Sequence, residues 1–96
     1  MRPSLALAGH RDELRQLVTR HDLAHPRIFG SVLRGEDSET SDLDLLVDPT
    51  PTTTLLTLGG FQLYAEALLG VSVDVMTPNG PRPRLRDRIL REALPL

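Results

Sequence analysis

The run Asp42-Leu43-Asp44-Leu45-Leu46-Val47-Asp48 constrains this chain more than any other stretch, because two acids alternate with leucines before the run turns continuously apolar and Pro49 stops it. It reads as a strand. Residues two apart on a strand share a face, so Asp42 and Asp44 point one way, roughly 7 Å apart along the chain, while Leu43 and Leu45 point the other. A buried strand end carrying two acids needs a compensating charge. A tight Gly30-Ser31 pair stands ten residues ahead, and a third acid, Asp74, lies within Val71-Ser72-Val73-Asp74-Val75-Met76. Three carboxylates on strand-like segments are costly to hold together without a cation, since like charges repel and carboxylates resist desolvation. With no His or Cys nearby, oxygen-only ligation selects a hard ion such as Mg²⁺ or Mn²⁺ over zinc.

The remaining periodicities build a small α/β layer around that run. Leu14, Leu17 and Val18 recur at helical spacing among Arg, Asp, Glu and Gln, which predicts an amphipathic helix from His10 to about Asp22. Pro26 forbids helix and leads a short strand, His25 to Phe29. Ser31 is positioned to cap a helical turn through Arg34 that Gly35 terminates. Thr52 to Thr54 offer N-caps for a helix to Leu69, capped by Gly70, with Leu56, Leu63, Tyr64, Ala67 and Leu68 expected on its packing stripe and Gly59-Gly60 as a weak point. Val71 to Met76 makes a third strand, on which Asp74 faces away from the valines. A last helix spans about Arg84 to Ala93. The expected order is α-β-α-β-α-β-α: one domain, residues 1–96, with helices covering a three-stranded mixed sheet.

Charge distribution narrows the chemistry further. Six acids and no base fall between Gly35 and Asp48, whereas Pro81 to Leu96 carries Arg82, Arg84, Arg86, Arg88 and Arg91 against Asp87 and Glu92. An acidic centre suits divalent cations, and a basic tail suits phosphates or an acidic partner surface, although a solvated helix face is the simplest use of those arginines. All eleven basic residues are Arg. The absence of Lys excludes a P-loop, Schiff-base chemistry and the kinase strand lysine. The absence of Cys excludes disulfides and thiolate zinc sites. No apolar run approaches the roughly 20 residues of a membrane span, and the N-terminal segment is too short and too soon polar for a signal peptide, so a cytoplasmic location is expected. No aromatic platform for stacking bases is visible, and direct nucleic-acid binding is not expected.

Each element of the constellation has a plainer reading. Gly30-Ser31 alone is usually a turn, yet a turn feeding a helix exposes backbone N–H groups that can hold phosphate oxygens without lysine. An isolated Asp-x-Asp is usually a solvated face, and Asp74 alone could be an edge carboxylate paired to an Arg. Arg34 fits an ion pair with Glu36, Asp48 or a carboxylate behind the site more simply than it fits a phosphate. His10, His21 and His25 are scattered and read as surface or packing residues.

Together the three segments resemble the nucleotidyltransferase superfamily that includes DNA polymerase β: Gly-Ser, about ten residues, Asp-x-Asp, then a third acid on a later strand. The closer resemblance is to the minimal nucleotidyltransferase antitoxins encoded beside HEPN-domain toxins. Gly30-Ser31-Val32-Leu33-Arg34-Gly35 is similar to their Gly-Ser-x-x-Arg-Gly, and Ser41-Asp42-Leu43-Asp44-Leu45-Leu46-Val47 to their Ser-Asp-x-Asp-Leu-Leu-Val. The likeness continues through Leu69-Gly70 and Val73-Asp74-Val75 into the Arg-rich tail.

The resemblance implies transfer of AMP from ATP to a hydroxyl, with a tyrosine of a HEPN RNase toxin as the expected acceptor. Asp42, Asp44 and Asp74 would be the catalytic and metal-binding acids for two Mg²⁺ ions. Gly30 and Ser31 would hold the β- and γ-phosphates, and Arg34 joins them as a candidate nucleotide-binding residue. A hetero-oligomer with the toxin is expected. Two alternatives stay open: an antitoxin that neutralises by contact alone, and a small-molecule nucleotidyltransferase, for whose usual extra helical domain 96 residues leave no room.

Overall fold

Leucines of the central strand are sealed on both sides, and that fact organises the molecule. In a computed structural model describing residues 1–96, helix α1 (Pro3–Ala8) and helix α2 (Arg11–Arg20) precede strand β1 (Ala24–Phe29), a single helical turn α3 (Gly30–Leu33) and strand β2 (Leu43–Asp48). Helix α4 (Leu55–Leu69), strand β3 (Val73–Met76), helix α5 (Pro83–Glu92) and a two-residue strand β4 (Leu94–Pro95) complete the chain. The sheet order is β3-β2-β1-β4. β1 runs antiparallel to β2 and β4, while β2 and β3 are parallel and joined by α4.

Strict alternation fails along β2 because both faces are covered. Leu43, Leu45 and Val47 are wholly inaccessible and pack with Ala6, Leu7, Leu14, Val18, Phe61 and Ala65 beneath α1, α2 and α4. Leu46 points to the opposite face, where it meets Phe29 and Ile89 of α5. The acids of the run are thereby confined to its ends.

Local chemistry accounts for the element boundaries. Asp12 and Glu13 in the first turn of α2 and Arg20 in its last complement the helix dipole. Thr54 opens α4 through a capping box with Thr57, and Gly70 closes it at φ +69°, in the left-handed region. No helix is long and apolar enough to cross a membrane.

Several expectations are corrected. The sheet has four strands, since Leu94 and Pro95 pair with Ile28 and Arg27. A two-residue segment containing proline carries no readable strand pattern; it forms because Leu96 buries its side chain and donates its N–H to the Pro26 carbonyl. An extra helix, α1, stands at the front, its Ser4 N–H donated to Asp37 Oδ2 at 2.9 Å. Pro26 lies within β1, not at its start, and the register shifts between Ala24 and Arg27, where His25 adopts φ +50°. Missing a ladder donor, proline is accommodated by that irregularity. Ser31 does not cap α3, because the helical turn already begins at Gly30 and Phe29 occupies the cap position. Asp42, Val71 and Ser72 precede their strands. Most consequentially, α4 buries Phe61, Ala65 and Leu69 and turns Leu56, Leu63 and Tyr64 outward.

Candidate functional site

Strand register brings the motif residues into line. Phe29, the last residue of β1, sits opposite Asp44 of β2, and Asp44 sits beside Asp74 of β3. Neighbouring strands lie about 4.8 Å apart, so the Gly30 bend, Asp44 and Asp74 form a row across three strands. Leu46 and Met76, two residues beyond each acid, belong to the cluster under α5, which places both carboxylates on that same face. Asp42 shares the face by alternation, exposed just ahead of the strand.

Gly30 is the hinge of this arrangement. Its φ of +74° favours glycine, and the space a Cβ would take is filled by the Asp44 carboxylate, whose Oδ2 would lie only 2.1 Å from it. Asp44 therefore rests directly against the Gly30 backbone. Burial pushes the Asp44 carboxyl up to about 6, helped by the charges of Asp74 and then Asp42, and opposed by Arg34. Asp74, Asp42 and Arg34 thus all act on Asp44 through space. Arg34 itself donates from Nε to Glu36 Oε2 at 3.1 Å, the first of the pairings expected for it. Asp48 is instead held by Arg27, at 2.5 Å, and by His25.

A cleft of about 220 Å³ opens beside Gly30, walled by Arg34, Met76, Leu85, Arg88 and Glu92. Arg88, which donates to Glu92 at 3.1 Å, is the one tail arginine that lines it. Sequence alone groups the five tail arginines together. What singles out Arg88 is the residue after it: Ile89 is the buried anchor of α5, so its neighbour is drawn to the cleft edge. Roomier concavities, of about 590 Å³ beside Arg15 and His25 and about 490 Å³ between α2 and α4, lie away from the carboxylates. Chemistry rather than volume locates the site.

The donor set suits a hard divalent cation: carboxylate oxygens from Asp42, Asp44 and Asp74, with no imidazole or thiolate among them. No three acidic or imidazole side chains in the chain close into a finished cage.

This geometry has known counterparts. Residues 7–96 match the nucleotidyltransferase domain family. The chain belongs to that family. Within it, this nucleotidyltransferase is 42% identical over 78 residues to a provisionally assigned protein adenylyltransferase of Methanocaldococcus jannaschii, covering 81% of this chain and 84% of the relative. It is 36% identical over 88 residues to the protein adenylyltransferase MntA of Thermococcus cleftensis, covering 92% and 86%. A solved structure of a provisionally named minimal nucleotidyltransferase superposes with a TM-score of 0.87 at 46% identity, over 97% of this chain and 95% of that one. A toxin-antitoxin crystal structure with AMP-PNP shares the fold, with a TM-score of 0.75 at 17% identity over 88% of this chain and 69% of that one. Minimal nucleotidyltransferases are thus the group to which this transferase is allied in both sequence and fold.

Proposed function

We propose that this nucleotidyltransferase acts as a single 96-residue domain that moves AMP from ATP onto a hydroxyl of a cognate toxin, a tyrosine of a HEPN-domain RNase, and so silences it. The observation that carries the reading is the row of Gly30, Asp44 and Asp74, with the Asp44 carboxylate seated where glycine leaves room. The protein adenylyltransferase names of two relatives and the toxin-antitoxin neighbour holding AMP-PNP support the substrate and the partner.

Asp42, Asp44 and Asp74 would hold Mg²⁺. Bound there, the metal supplies charge stabilisation at the phosphates and lowers the pKa of the attacking hydroxyl. Gly30 and Ser31 would hold the β- and γ-phosphates, through backbone N–H groups at the start of the helical turn and the Ser31 hydroxyl. Arg34 adds a positive charge on the same side. The acceptor oxygen forms a bond to the α-phosphorus as the bond to the bridging oxygen breaks. Pyrophosphate leaves, and the hydroxyl proton passes towards Asp74. The site works in the cytoplasm, on a protein rather than on nucleic acid or a membrane.

Incubation with α-labelled ATP, Mg²⁺ and the protein encoded by the adjacent gene tests this. Label on the partner that disappears with Asp44→Asn is expected. Neutralisation of the toxin that persists undiminished in that variant would replace catalysis by simple occlusion.

A further inference from the structure

Helix α4 carries two apolar stripes, and the chain covers only one of them. Phe61, Ala65 and Leu69 face the core. The opposite side presents Leu56, Gly59, Gly60, Leu63, Tyr64 and Ala67, at the 3-and-4 spacing of a continuous helical face. Leu55 and Leu56 are 88% exposed, Leu63 69% and Tyr64 63%. Taking a large side chain as on the order of 200 Å², these four leave roughly 600 Å² of apolar surface in water, the upper end of what a monomer's largest patch shows. A helix apolar on all sides is a helix meant to be buried on all sides.

Two glycines sharpen the point. A Cβ at Gly59 or Gly60 would meet nothing within 4 Å, and neither glycine has a positive φ, so neither the chain's own packing nor its backbone calls for them. Each weakens the helix relative to alanine. What they provide is a notch at the middle of the exposed stripe.

We propose that this face seats a second copy of the same chain, in a two-fold dimer with the α4 helices antiparallel. The flank of the stripe is self-complementary. A groove of about 490 Å³ between α2 and α4 is lined by Glu13, Gln16, Leu17, Arg20 and Tyr64, with the acid and the base a helical interval apart on α2. Antiparallel pairing brings Glu13 over the partner's Arg20, and symmetry repeats the contact. Roughly 600 Å² of stripe and adjoining Leu55, together with the rims of this groove, approaches the about 800 Å² per subunit of a stable interface. Location favours a second copy over the acceptor protein as occupant: α4 covers the sheet face of Leu43 and Leu45, whereas Asp44 and Asp74 open on the face of α5. A protein seated on α4 has the sheet between itself and Asp44. A second copy there leaves both carboxylate rows open to substrate.

Sedimentation of the whole chain over a range up to about 100 μM tests the proposal. A reversible doubling of mass is expected, abolished by Leu63→Arg with an unchanged circular dichroism spectrum. Glu13→Arg should weaken association about tenfold, and Glu13→Arg with Arg20→Glu together should restore it. Asp44→Asn should dimerise like the wild type, so this outcome is independent of whether AMP transfer occurs. A wild type that stays monomeric throughout, a dimer indifferent to Leu63→Arg, or a double swap that fails to recover would each overturn it. So would a monomer that loses its acceptor protein on Leu63→Arg.

Discussion

Replacing Gly30 with alanine separates the site from the scaffold that holds it. Two costs follow from the geometry. The φ of +74° imposes about 1–2 kcal/mol on any residue with a Cβ. The new methyl would also lie 2.1 Å from Asp44 Oδ2, while contacts under 3.0 Å are not tolerated, so the carboxylate must retreat by about 1 Å. A displacement of that size at a reacting centre costs on the order of 100-fold in rate. Gly35 supplies the control, because it has φ +70° but nothing within 4 Å of an added methyl. Both Gly30→Ala and Gly35→Ala should therefore lower the melting temperature by about 5–15 °C. Only Gly30→Ala should lose about 100-fold in Mg²⁺-dependent label transfer. Thermal melts and initial rates on the two proteins, side by side, decide the matter. Equal losses of activity, or a Gly30→Ala enzyme within about threefold of wild type, would refute the claim that Asp44 is positioned by the missing side chain.

Further outcomes follow from burial and charge. Asp44 has a folded pKa of about 6 against an ordinary 3.8, so its ionisation opposes folding; the penalty is absent below about pH 4 and complete above about pH 6. Asp44→Asn should accordingly stabilise the protein increasingly as pH rises through that window, by about 1–2 kcal/mol once solvent screening of a partly exposed group is allowed for. A melting difference that does not change with pH would remove the electrostatic account of the site. Phe61→Ala, at a wholly buried position, should cost about 3–5 kcal/mol, a large share of the stability of a chain this size. Leu56→Ala, 88% exposed, should change the stability of the dilute protein by less than about 0.5 kcal/mol, and denaturant titration of both variants would expose any error in which stripe of α4 is the inner one.

How much of this was legible in the sequence depends on how local each cause is. The Thr54 cap and the Gly70 stop of α4 were readable because their partners lie within one helical turn. The strand character of Leu43–Asp48 was readable because the apolar run left no helical period to compete. Gly30 was visible as a bend, but its reason is the Asp44 side chain, fourteen positions along the sequence and adjacent only after β1 and β2 pair. The same holds for Asp44 and Asp74: alternation assigns each a face, and only the parallel register sets them side by side. β4 was invisible, since two residues that include a proline carry no period. The inner stripe of α4 is not legible for a different reason. With a single acid, Glu66, among fifteen residues, the helix has no polar face to orient it, and tertiary packing alone chooses between 56/63/67 and 58/61/65.

The exposed stripe of α4 and the candidate site share a physical logic. A chain shaped only for stability would not set an acid at position 44, where burial and two neighbouring carboxylates act against its charge, nor fix a left-handed backbone at Gly30 to make room for it. It would not interrupt α4 with Gly59-Gly60 while leaving Leu56 and Leu63 in water. Each departure lowers the stability of the isolated domain, and under the two proposals above each is relieved from outside the chain: by a cation for the acids, and by a second copy for the helix. Local choices that conflict with the fold they sit in mark where a protein is built to meet something else. In this nucleotidyltransferase the two conflicts fall on opposite faces of one sheet, separated by the leucines of β2. Each can therefore be relieved without disturbing the other, so saturation with Mg²⁺ and association through α4 should contribute independently to the melting temperature.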